Sequence, residues 1–180
     1  FISLAKQNPQ RSSFTMSEIA RQAGISRQAI YQKHFHNYDD IIKYIHERAD
    51  QQIFQVFNDS CLRREENPIE CFANFAISLI YENRNIIRTL FITQADPGWK
   101  EFLRDTYSKW ILKNVHYNKE FDFSEDDMTY VVANMIITFI EAWIRKENPT
   151  PPEKFKKTFH LLTTISLRDY MILQEKSLGQ

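Results

Sequence analysis

The chain of 180 residues contains three glycines, Gly24, Gly98 and Gly179, and this scarcity constrains its fold more than any other feature. A β-sandwich or barrel needs glycine-bearing turns at short intervals. A dinucleotide fingerprint or a P-loop needs two or three glycines within about eight residues. No two glycines here share a loop, so both kinds of phosphate cradle are excluded. The six prolines, Pro9, Pro68, Pro97, Pro149, Pro151 and Pro152, fall between periodic segments, where a missing N–H does least harm to a helix. An apolar fraction of 43% is ample for a core and excludes a disordered chain. The reading is all-α, with about nine helices: an N-terminal three-helix head over residues 1–44 and a C-terminal antiparallel helical bundle over residues 45–180.

Local signals place the helices. The chain opens mid-pattern, so Phe1–Gln7 reads as the tail of a first helix whose start is missing. Thr15-Met16-Ser17-Glu18 is a capping box opening a short helix to Ala23, and Gly24 ends it in the left-handed conformation. Ser26 caps a second short helix from Arg27 to about His34. Asp39 and Asp40 begin a long helix to about Arg64, with Ile41, Ile45, Ala49 and Ile53 on one stripe. Pro68 opens another, where Ile69, Phe72, Ala73, Ala76 and Ile80 follow the 3.6-residue period. Asn83–Asn85 interrupts before a shorter helix through Ile92. Asp96-Pro97-Gly98 forms a turn before a helix carrying Trp99, Phe102, Leu103, Tyr107, Trp110 and Ile111. Ser124 with Asp127 caps a helix to about Arg145 that is apolar around most of its circumference, which predicts burial on several sides. Thr150-Pro151-Pro152-Glu153 caps the last, with Phe155, Phe159, Leu162 and Ile165 at helical spacing.

Charge balances at 23 basic against 23 acidic residues, yet unevenly. Lys6, Arg11, Arg21, Arg27 and Lys33 against Glu18 make residues 1–38 basic, and the remainder is acidic by the same margin. A basic head on an acidic body points to a polyanion contact. Between Thr15 and Phe35, Ile19, Ala20 and Ala23 of one short helix must pack against Ile25 and Ile30 of the next, with Ile25 plugging the corner. That is the recipe of a helix-turn-helix, whose second helix enters the major groove of DNA. In Ile19-Ala20-Arg21-Gln22-Ala23-Gly24-Ile25-Ser26, Ile30-Tyr31, His34-Phe35 and Asp40-Ile41, the chain resembles the TetR family of bacterial helix-turn-helix regulators. Two departures stand out. Gln32 and Lys33 separate Tyr31 from His34-Phe35 where members usually place one residue, and Tyr38 stands where members commonly carry a lysine.

The residue roles follow from chemistry. Arg27 and Gln28 occupy the first turn of the recognition helix, where Arg forks onto guanine and Gln onto adenine for about 1–3 kcal/mol of discrimination each. Ala29 is small enough to approach a thymine methyl, and Tyr31, Lys33 and His34 are placed for phosphates. Thr15 and Ser26 cap the two helices, and the amides behind Thr15 offer another phosphate site. The resemblance implies a small-molecule pocket among the middle helices and a homodimer through the last two. Candidate ligand contacts are Phe75, Tyr107, Trp110, Asn134, Thr138 and Trp143. Asn134 and Thr138, four apart on a mostly apolar helix, are the strongest, because buried polar groups need partners. The lack of a buried charge cluster favours a neutral or apolar effector; Glu141 would suit a cationic one.

Other chemistries find little support. Histidines two apart point away from each other on a helix, so His34 and His36 with Asp39 and Asp40 make a poor metal site. Cys61 and Cys71 lack metal spacing and read as small buried fillers in a reducing, cytoplasmic setting. The most hydrophobic stretch, Met128–Ile144, is broken by Asn134, Thr138 and Glu141, against a membrane span. No nucleophile elbow, zinc-protease helix or catalytic carboxylate pair appears, so no enzyme activity or cofactor is expected. The expectation is a transcription regulator, a ligand-responsive repressor dimeric on a near-palindromic operator. The alternatives are an adaptor of the same fold that binds a protein partner instead of DNA, and an all-helical enzyme or carrier.

Overall fold

The computed structural model describes residues 1–32, 35–56, 67–117 and 122–166, and these hold nine helices and no strand. The head contains α1 (Ile2–Gln7), α2 (Met16–Ala23) and α3 (Arg27–Gln32). Next comes α4 (Tyr38–Val56); its expected continuation to Arg64 lies outside the described residues. Pro68–Cys71, the π-helical turn Phe72–Ala76 and Ile77–Glu82 run on as one helix, α5. The body is completed by α6 (Arg84–Ile92), α7 (Trp99–Asn114), α8 (Glu125–Ile144) and α9 (Pro152–Thr164).

The helices start where side chains can satisfy their first amides. Thr15 with Glu18 and Ser124 with Asp127 form reciprocal capping boxes for α2 and α8. Asn37 and Asp40 do the same for α4, the Asn37 Oδ1 accepting from the Asp40 amide at 2.9 Å and the Asp40 carboxylate from the Asn37 amide at 3.2 Å. Asn67 accepts from the Ile69 amide, with Pro68 in the first turn of α5. At α9 the expected Thr150 cap is not made. Proline has no N–H to satisfy, so Pro152 begins the helix without a side-chain cap, and the Thr150 carbonyl instead accepts from Trp143 Nε1 at 2.9 Å.

Two cores result. In the body, α7 and α8 form the most extensive helix pair, and α9 closes against α5. Trp143 lies at 4.0 Å and 7° on Phe155, and Phe72 at 5.4 Å on Phe159, so stacked rings join α8, α9 and α5. Cys71 in this core is fully buried and disulfide-bonded, which corrects the reading of a reduced filler; Cys61 lies outside the described residues. The head core is smaller: Leu4, Ala5, Phe14, Met16, Ile19, Ala20 and Ile30, with Tyr38 and Ile41 packed against it. Between Ile41 and Ile45, α4 passes from the head core to the body core.

The head core also takes in one residue of the body, Ala95, from the loop between α6 and α7. That loop grips the head and the helix leading out of it at three successive residues. The Gln94 amide donates to the Pro9 carbonyl at 2.7 Å, the Ala95 carbonyl accepts from the Tyr38 hydroxyl at 2.6 Å, and Asp96 Oδ2 lies 2.6 Å from His46 Nε2. Burial, reinforced by the carboxylates of Asp96 and Asp39, pushes the Tyr38 hydroxyl above its ordinary range, so it stays a proton donor. Tyr38 thus has a structural role where the family resemblance places a phosphate-binding lysine.

Two packing expectations are corrected. Ile25 is 48% exposed and Ala23 is exposed, so neither plugs the corner between α2 and α3. The head core is instead made of Leu4, Ala5, Phe14, Met16, Ile19, Ala20, Ile30 and Ala95. On α8 only one face is buried, through Thr129, Ala133, Ile136, Ile137, Ile140, Trp143 and Ile144, while Tyr130, Val131 and Met135 face out. By length and composition α8 also passes for a membrane-crossing helix, with 39% of that window buried inside the protein.

Replacing Tyr38 by Phe deletes one grip and leaves the Ala95 carbonyl without its donor. The expected cost is about 1–2 kcal/mol in chemical unfolding, with faster amide exchange at Gln94 and Ala95 than elsewhere in the body. Unchanged exchange at those two amides would mean that Tyr38 does not hold the seam.

Candidate functional site

The turn between α2 and α3 sets the geometry of the head. Gly24 sits at φ +68°, and the Gly24 and Ile25 amides donate back to Arg21 and Ala20 at 3.2 and 3.1 Å, closing α2 in a Schellman turn. Ser26 Oγ then accepts from the Ala29 amide at 3.1 Å, so α3 starts within two residues. Ile30 anchors α3 in the head core, and with its inner side held, Arg27 and Gln28 face solvent while Ala29 is half-buried. Arg27 lies along its own helix, donating to the Tyr31 hydroxyl at 3.0 Å, while Tyr31 stacks on His36. Lys33 and His34, read as phosphate contacts, lie outside the described residues.

The start of α2 differs from a vacant anion site. Thr15 Oγ1 accepts from the Glu18 amide at 3.2 Å, and Glu18 Oε2 accepts from the Thr15 amide at 2.8 Å. Arg11 closes on the same carboxylate with two bonds, at 2.7 and 3.0 Å, and lies over the Phe14 ring. These bonds, Arg11 first and then the Thr15 amide and hydroxyl, hold the Glu18 carboxyl down at about 2. Thr15 therefore works as a cap, and one head cation, Arg11, is already paired. Lys6, Arg21 and Arg27 remain exposed to solvent in the head.

Among the cavities that the described residues of the body line, two are of similar size. One, of about 200 Å³, lies between the start of α5, α7 and α8 and is lined by Phe72, Tyr107, Trp110, Ile111 and Ile136 among others, nearly all apolar. Burial raises the Tyr107 hydroxyl well above its ordinary value. The other, of about 210 Å³, lies between α4, the end of α5 and α6, with Trp99 at its edge. Of the six candidate ligand contacts, Tyr107 and Trp110 line the first cavity; Phe75, Asn134, Thr138 and Trp143 line neither. Trp143 is consumed by its stack and its bond to Thr150.

Asn134 and Thr138 require correction. Thr138 is exposed, and the Asn134 amide donates to the Tyr130 carbonyl of its own helix at 2.7 Å, so neither is a buried polar group in want of a ligand. They lie on the outer face of α8, with Tyr130, Val131 and Met135. Glu141 is likewise engaged, by Lys100 at 2.8 Å and Arg145 at 3.4 Å. No group of three or more His, Cys, Asp or Glu gathers to hold a metal ion among the described residues. Sequence reasoning missed Tyr44 and Arg48, which line the second cavity. Their signal was four-residue spacing on α4, beside Ile45 and Ala49 of the inner stripe.

Two outcomes test the head. An alanine Cβ at Gly24 meets nothing within 4 Å, so Gly24→Ala should cost only the left-handed backbone, about 1–2 kcal/mol in chemical unfolding. In the unfolded chain Glu18 titrates near 4.5 and in the folded chain near 2. Its network therefore stabilises fully above about pH 4.5 and is lost as pH falls toward 2. Thermal unfolding followed over that range should show a shallower acid decline in Glu18→Gln than in the parent.

No protein-family model, curated protein or solved structure matches the chain.

Proposed function

We propose that this chain is a sequence-specific, DNA-binding transcription regulator of the TetR kind, with its helical body as a dimerising effector domain. The observation that carries the reading is the turn at Gly24 together with the placement of α3 behind it. A Schellman turn and a serine cap set α3 against α2, Ile30 anchors it, and Arg27 and Gln28 stand exposed in its first turn. A helix held this way offers its first turn to base edges in a major groove. The dimer reading draws on the outer face of α8, where Tyr130, Val131 and Met135 are exposed, and on Leu161 and Ile165 at the end of α9. Apolar side chains exposed on the last two helices suit an isologous interface. The effector reading draws on these two cavities, which lie between helices of the body.

Binding a ligand better in one arrangement of the body than in another would change operator affinity only as far as that difference allows. A second reading, an adaptor of the same fold that takes a protein partner, is favoured by the 48% exposure of Ile25 beside α3 and by the pairing of Arg11.

Selection from a random double-stranded DNA library by the folded chain separates the two. A near-palindromic consensus is expected for the regulator; no enrichment at low salt from folded protein would turn the assignment to the adaptor. On the selected site Arg27→Ala should weaken specific binding about ten- to a hundredfold while changing non-specific binding little, measured by fluorescence anisotropy. Equal loss on specific and random DNA would reduce Arg27 to a phosphate contact.

A further inference from the structure

The cavity between α4, α5 and α6 has walls that match one kind of occupant. Its apolar surface comes from Ile45, Ala49, Leu79, Ile80, Ile87 and Leu90. Its polar side chains are Tyr44, Arg48, Asn83 and Trp99, with no aspartate or glutamate in the described lining. Arg48 donates to the Tyr44 hydroxyl oxygen at 3.1 Å, so the Tyr44 proton is left for another acceptor. Among the described residues no carboxylate is bonded to Arg48. Trp99 is 2% exposed, and its Nε1–H is buried with no hydrogen-bond partner among the described residues. The described wall therefore offers the Tyr44 hydroxyl and an exposed cation, Arg48, and lacks acids. An occupant that completes it brings acceptors and negative charge at one end and hydrocarbon at the other.

We propose that this cavity binds a small apolar carboxylic acid as its carboxylate. The hydrocarbon part lies among the aliphatic side chains of α4, α5 and α6, and the carboxylate meets Arg48 and Tyr44 at the mouth. An apolar cavity of about 150 Å³ holds one benzene ring. At about 210 Å³ this one suits roughly eight to ten non-hydrogen atoms, the size of a medium-chain fatty acid or a short aryl acid. The occupant would touch α4 beside His46, whose ring stacks at 4.0 Å on Phe102 and whose Nε2 meets Asp96 in the seam. Only the consequence for operator binding rests on the regulator reading; the cavity chemistry stands apart from it.

Titration calorimetry on the whole chain without DNA, using octanoate and the matched neutral octan-1-ol, tests the proposal. Octanoate should bind more tightly than octan-1-ol. Arg48→Met, at an exposed position, should weaken octanoate about tenfold and leave octan-1-ol within about twofold. Ala49→Phe, which fills the cavity, should abolish both, with the helical circular dichroism of each variant confirming its fold. Absence of octanoate binding, equal losses of acid and alcohol in Arg48→Met, or retained binding in Ala49→Phe would each overturn it. Octanoate binding in a chain that ignores DNA supports the cavity assignment and overturns the regulator. A chain that selects an operator yet takes up neither acid nor alcohol does the reverse.

Discussion

Gln94, Ala95 and Asp96 are three consecutive residues of the body; the first two hold the head directly and the third holds α4, the helix that leads out of it. One donates its amide, one accepts through its carbonyl while burying its methyl in the head core, and one offers a carboxylate. The segment is itself braced: Thr93 Oγ1 accepts from the Ala95 amide, and Asp96 Oδ1 from the Gly98 amide. The Tyr38–Ala95 and His46–Asp96 contacts are short and part-buried, so they lose more when broken than fully exposed equivalents would. The head core is small, and Ala95 is one of its fully buried members. A loop of the body is thus part of the stability of the head, and the two units share more than the passage of α4 between them.

That sharing is what the proposed regulator would use. His46, Trp99 and Phe102 form one aromatic group at the seam, with His46 on α4 and the other two on α7. A change in how α4 rests on α6 and α7 therefore acts on the same residues that locate the head. Coupling of this kind would need no long pathway, because the cavity beside Arg48, the seam and the start of α4 are neighbours.

What was legible in the sequence was legible because it is local. The capping boxes at Thr15 and Ser124, the left-handed Gly24 and the proline start of α5 each depend on three or four consecutive residues, and the structure holds all of them. What was not legible depends on segments far apart in the chain. Ile25 has the look of a corner plug, yet it stays 48% exposed while the head core closes through Phe14, Met16 and Ala95 from other segments. Asn134 and Thr138 sit on a helix apolar enough to suggest full burial, but α7 covers only one side of it. The seam had no periodic signal at all, since a loop of polar and small residues looks the same whether or not it grips a neighbour. Among the site residues, the exposed first turn of α3 was readable, whereas the cavity beside Arg48 exists only through the approach of α4 to α5 and α6.

The π-helical turn of Phe72–Ala76 has a consequence of phase. In an unbroken α-helix, residues seven or eleven apart, such as Phe72 with Leu79 or Ile69 with Ile80, point in nearly the same direction. One widened turn inserts about one extra residue, which rotates everything after it by about 100° relative to everything before. Ile69 and Phe72 accordingly border one cavity while Leu79 and Ile80 border the other. A single α5 is in this way a wall of two separate chambers. Deleting one residue within 72–76 would bring its two halves back into register, leaving α5 one apolar stripe to share between both spaces.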